Sequence, residues 1–131
     1  WQVMTKRMSE WWCPKPWRIE IVEMDWRAGG RSAMVMLGPE GEKLPQEGVF
    51  LEVTPGKCFV ITDAINVKHI PQNPFMIGIW GIEAENNGTR YTARARHWNK
   101  EAYVQHQEMG FKDGWEACAN QLAAICETEQ E

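Results

Sequence analysis

Residues 75–98, FMIGIWGIEAENNGTRYTARARHW, decide the fold. Two runs of alternating apolar and polar residues, Phe75 to Glu85 and Thr89 to Trp98, flank Asn87-Gly88. Both turn residues tolerate positive φ, so the stretch reads as a β-hairpin. A two-residue turn there fixes the register. Trp80, Ile82 and Ala84 then oppose Ala95, Ala93 and Tyr91, large against small, as a packed or cavity-lining face should be. The other face carries Glu85 against Arg90 and presents Arg94 and Arg96, a solvated surface. His97 falls on the inner face, beyond Ala95 and near Gly78.

Upstream, turn chemistry separates four further strands. Arg18 to Arg27 ends at Gly29-Gly30, and Ser32 to Leu37 ends at Gly38-Pro39-Glu40-Gly41. Gly48 to Thr54 and Lys57 to Ile65 flank Pro55-Gly56 as a second hairpin. Both Phe50/Phe59/Ile61 and Val49/Leu51/Val60 are apolar; the aromatic set is the one expected to face inward. Asn66 to Pro74 is a loop. Trp1 to Trp12 reads as the end of a helix, stopped by Cys13-Pro14-Lys15-Pro16 because proline pushes its predecessor out of helical geometry.

Downstream, Asn99 can cap a helix. Val104, Phe111, Trp115, Cys118, Leu122 and Ile125 recur at helical spacing, one apolar stripe over about seven turns at ~3.6 residues each. Gly110 and Gly114 interrupt it, where another element can approach closely or the helix can bend. Met109 lies off the stripe. The order is a partial helix, about six antiparallel strands and a long terminal helix. This is an α+β domain with one curved sheet packed on that helix.

Composition narrows the function. The 131 residues are 44% apolar and 24% charged, the size and balance of one soluble domain. The net charge of −4 gives no general attraction for phosphate backbones, so no nucleic-acid partner is expected. Arg90, Arg94 and Arg96 are too few to change that. No apolar run approaches a membrane span and no leader peptide is evident. Two serines, Ser9 and Ser32, and no G-x-S-x-G argue against serine-nucleophile hydrolysis. Cys13, Cys58, Cys118 and Cys126 follow no zinc or disulfide framework and read as buried thiols of a cytoplasmic protein. His69, His97 and His106 lack metal-ligand spacing, so neither a metal nor a cofactor is expected. Asp25 and Arg27, beside the Gly29-Gly30 turn, read as a local ion pair. Glu52 and Asp63 would share a face across the Pro55-Gly56 hairpin, at the sheet margin. The chain also holds eight tryptophans and seven methionines, material for an adaptable apolar interior.

Several segments together resemble one family. They are Trp11-Trp12-Cys13-Pro14-Lys15-Pro16-Trp17, Ala28-Gly29-Gly30-Arg31, Glu47 to Val53 through Thr62-Asp63-Ala64, and Gly88 to Arg94 through His97. The most specific is His106 through Met109-Gly110-Phe111-Lys112-Asp113-Gly114-Trp115. The pattern, over nearly the whole chain, resembles the SRPBCC, or START-like, superfamily, in the branch named after the activator of the heat-shock-protein-90 ATPase. The resemblance implies a helix-grip fold: a seven-stranded antiparallel sheet around a long C-terminal helix, enclosing an apolar cavity. The family's first strand should precede Trp1, so residues 1–131 read as a single domain incomplete at its N-terminus. Its absence would leave the last strand with an open edge for another chain, a second copy included.

The expected function is therefore binding of an apolar or amphipathic small molecule between sheet and helix. Trp12, Met34, Met36, Phe50, Ile61, Trp80, His97, Phe111 and Trp115 are the candidate ligand-binding residues, with His97 or a tryptophan N–H orienting one polar group. Trp11, Trp12 and Trp17 serve either as a lid or as packing around the proline-rich loop. A chaperone-related or other protein partner is the alternative. No residue set reads as catalytic, and a cyclase-like enzyme ranks last.

Overall fold

The computed structural model describes residues 1–72 and 76–129. Pro74 and Phe75, expected at a loop end and a strand start, lie outside the described residues. The first segment forms a short helix, α1 (Gln2–Lys6), and a 3-10 turn (Met8–Glu10). Six strands follow: β1 (Arg18–Met24), β2 (Arg31–Leu37), β3 (Lys43–Thr54), β4 (Cys58–Thr62), β5 (Met76–Glu85) and β6 (Gly88–His97). Each pairs antiparallel with the next in one meandering, curved sheet whose two ends do not close on each other.

The last hairpin differs from expectation in register. Its turn is Asn86-Asn87, at φ 47° and 65°, with Glu85 paired to Gly88. Asparagine enters the left-handed region nearly as readily as it precedes a glycine there, so either pair of residues can make a tight turn. The slip is by two residues, which preserves the faces. Trp80 opposes Ala93, Ile82 opposes Tyr91, and His97 opposes Met76. Arg90 consequently meets Glu83 (3.9 Å, solvent-exposed) rather than Glu85.

Glu52 and Asp63 do not face each other. A bulge between Phe50 and Glu52 shifts the β3–β4 register. Glu52 instead accepts from Cys58 Sγ (2.9 Å) and Thr54 Oγ1 (3.2 Å), while Asp63 Oδ1 accepts the Met76 N–H at 3.4 Å. The bulge leaves Phe50 and Phe59 on the inner face, both at 0% exposure, with Leu51 turned outward.

The terminal helix is two helices. Asn99 caps α2 (Lys100–Glu108), its side chain accepting the Ala102 N–H at 2.8 Å. Gly110 then takes φ +77° and α3 (Phe111–Glu129) starts as a separate helix. A left-handed glycine is an ordinary helix terminator, and it wins here over the apolar periodicity that spans it. The break leaves Val104 of the stripe solvent-exposed, and Met109, off the stripe, is 68% exposed.

On α3, Cys118 and Leu122 are buried in the core with Ile19, Met34, Phe50, Phe59 and Trp80. Gln121 ties α3 to the proline-rich loop, donating from Nε2 to the carbonyls of Trp11 (3.1 Å) and Cys13 (2.8 Å) and accepting the Lys15 N–H at 3.1 Å. Cys118 Sγ donates to the Trp12 carbonyl at 2.9 Å. Gly114 is the point of close approach to Pro14, whose ring would lie 3.7 Å from an added Cβ. Three loop carbonyls thus find donors on one helix, which ties the loop that carries Trp11 and Trp12 to α3. The Asp25–Arg27 ion pair forms as read, at 2.7 Å. Among the described residues, no helix is long and apolar enough to cross a membrane.

Candidate functional site

A chain of aromatic rings runs through the hollow of the sheet. Phe59 stacks on Trp80 (centroids 5.2 Å apart, planes at 18°), and Trp80 stacks on Trp115 of α3 (5.2 Å, 26°). Trp12 leans on Trp80 from the loop at 4.8 Å. The Trp80 indole lies so close over Gly78 that a Cβ there would collide with the ring. Glycine at 78 therefore opens a space that its own neighbour on the same face partly fills.

The indoles do not plug the hollow. A cleft of about 510 Å³ remains, with Trp12, Trp80 and Trp115 along it, Tyr91 and Met36 beside them, and Met109 at its margin. Gln46, Glu47, Asp63 and Gln72 supply its polar end. A smaller pocket of about 80 Å³ adjoins it, bounded by Met34, Ile61, Gly78 and the shared residues Trp12, Trp80, Glu47 and Asp63.

The cleft brings together part of the expected residue set. Trp12, Met36, Trp80 and Trp115 line it, and Met34 and Ile61 line the smaller pocket. Phe50 is sealed in the core against Trp26 (4.8 Å) and Phe59. Phe111 and His97 stand behind His106 instead of on the wall: Phe111 stacks on its ring at 4.1 Å, and His97 Nε2 lies 2.8 Å from His106 Nδ1. Trp11 is 1% exposed with Nε1 donating to the Met4 carbonyl, and it borders the cleft along with Trp12.

Sequence reading missed His106, Tyr91 and the polar end as wall residues. His106 is 6% exposed. Burial, reinforced by the neighbouring His97, holds its pKa down at about 4, so its imidazole is neutral near pH 7. Burial also pushes the Tyr91 hydroxyl up, and pushes the Cys13 and Cys118 thiols to about 11 and about 12. Thiols held protonated this way are poor nucleophiles. Among the described residues no group of three or more His, Cys, Asp or Glu side chains is placed to hold a metal ion.

The fold has relatives. The family model described as Activator of Hsp90 ATPase homolog 1-like protein matches residues 1–127. The chain belongs to that family. It has the family's helix-grip architecture. A crystal structure of a protein from Nitrosomonas europaea superposes with a TM-score of 0.91 at 37% identity, over 99% of this chain and 86% of that one. A Mycobacterium smegmatis protein gives a TM-score of 0.78 at 26% identity, over 95% of this chain and 80% of that one. A Silicibacter pomeroyi AHSA1 protein, at 20% identity and a TM-score of 0.66, shares the fold over 95% of this chain and 84% of its own. Among curated proteins none matches the chain.

Proposed function

We propose that this domain binds an apolar or amphipathic small molecule in the cleft between the sheet and α3. One observation carries the reading: about 510 Å³ of space persists beside three indoles in the hollow of the sheet. Small-ligand sites are typically concave, roughly 300–1,000 Å³, and mostly apolar with a few polar groups at one end. Apolar ligand surface buried against Trp12, Trp80 and Trp115 would contribute ~25 cal/mol per Å². Cys118, the thiol among the described residues that line the cleft, is held protonated by burial and is a poor nucleophile.

The test is titration of the purified domain with the neutral probe N-phenyl-1-naphthylamine, followed by tryptophan quenching. Saturable one-site binding is expected, abolished by Gly114→Phe, which puts a ring into the cleft from α3. Circular dichroism checks that this variant keeps its fold. Absence of saturable binding, or binding indifferent to the plug, overturns the proposal. Stable co-purification with a chaperone by a domain that takes up no probe would instead favour the partner-binding role that the family's description evokes.

A further inference from the structure

The polar end of the cleft has a definite sign. Glu47 lies on β3 and Asp63 just past the end of β4, brought close because Gly48 lacks a Cβ that would run into the Thr62 carbonyl. Gln72 Nε2 fastens the two backbones together, donating to the carbonyls of Asp63 (2.9 Å) and Glu47 (3.3 Å). Both residues border both the cleft and the smaller pocket. Arg31 pairs with Glu47 at 3.2 Å but is shared with Glu23 at 3.3 Å, so one cation serves two carboxylates and the group keeps a net negative charge. No lysine or arginine is among the described residues that line the cleft. His106, the basic side chain on its wall, is kept neutral by burial.

The apolar part reinforces the same sign. Indole and phenol faces carry the negative side of a ring quadrupole, which attracts cations and disfavours anions. Trp12, Trp80, Trp115 and Tyr91 therefore present the same preference as the two carboxylates.

We propose, resting on the binding role above, that the ligand class is cationic: a flat apolar body seated against the indoles, with a protonated amine directed at Glu47 and Asp63. Ligands headed by a carboxylate, free fatty acids among them, are disfavoured by the field at that end.

The experiment compares three probes of one shape by calorimetry at pH 7.5 and low salt: 1-naphthylmethylamine, 1-naphthylmethanol and 1-naphthoate. The amine should bind about tenfold more tightly than the alcohol, and the acid most weakly, as expected for one partly solvated charge pair plus a cation–ring contact. Adding salt to about 0.5 M should shrink the amine's advantage in the unaltered protein, since screening shortens with ionic strength. Glu47→Gln with Asp63→Asn should bring the amine down to the alcohol's affinity. Equal affinities for the three probes, or a preference for the acid, overturns the cationic assignment and leaves the cleft as a binding site. Failure of all three to bind overturns both.

Discussion

Trp26 and Trp115 flank the two ends of the Phe59–Trp80 stack, and the ends differ. At the first, Trp26 lies 4.8 Å from Phe50 and 5.0 Å from Phe59, and both phenylalanines are wholly buried. At the second, Trp115 has Trp80 on one side and His106 (6.0 Å) on another, with the cleft in front of it. The same residue types, joined by stacking, are thus core at one end and cavity wall at the other. What separates them is not hydrophobicity. Phe50 and Phe59 stand on paired strands and are packed against Trp26, Trp12 and Trp80, whereas Trp115 rides on a helix. The difference should appear as a division of labour between stability and binding.

The largest expected effect is on stability at the closed end. Phe59→Ala removes a fully buried ring in contact with Phe50, Trp26 and Trp80, and should cost about 3–5 kcal/mol by urea denaturation. Trp115→Ala, half-buried, should cost no more than about 2 kcal/mol yet remove most binding of a naphthyl probe. Equal stability costs at the two positions would erase the distinction between the ends.

How much of this division could be read in advance follows from the range of the forces involved. Alternation and turn residues are local, so all six strands, the inward Phe50/Phe59 pair and the Asn99 cap were legible. Competing local choices were less so. Asn86-Asn87 and Asn87-Gly88 are both competent turns, and Gly110 reads equally as an interruption or as a stop. The open end was harder still because its components meet only after folding. His97 was expected to act in the cavity by itself, and nothing local linked it to His106. Gln121, a polar residue on a helix, gave no sign that it would gather the backbone of Trp11, Cys13 and Lys15. Glu47 and Asp63 become neighbours through a glycine contact and the Gln72 amide. Sites assembled from loop backbone and long-range pairs leave little periodic trace.

The open end should also be the acid-sensitive one. The folded pKa of His106 is about 4 against an ordinary 6.5, because burial and the adjacent His97 penalise its charged form. The unfolded chain therefore binds the extra proton first. The stabilising contribution is fully present above about pH 6.5 and is lost as pH falls from there toward 4. Urea midpoints measured between pH 7.5 and 4.5 should decline, and the decline should be shallower in His106→Gln. Most of that window lies above the ordinary carboxylate range, so an identical slope in the variant would assign the acid response to another group.

The smallest effect tests whether α2 belongs to the open end as a separable element. Gly110 sits at φ +77°, where an L side chain is strained, and its added Cβ would meet nothing within 4 Å. Gly110→Ala therefore isolates backbone strain from packing, at about 1 kcal/mol. The strain falls on the junction between a helix anchored by Cys118, Leu122 and Gln121 and one whose buried contact is His106. Relief should come by loosening the less anchored partner. Amide exchange should then quicken across residues 100–108 while residues 115–126 stay protected. Uniform acceleration over both helices would mean that they open as one unit, and that the cleft wall is no more mobile than the core behind it.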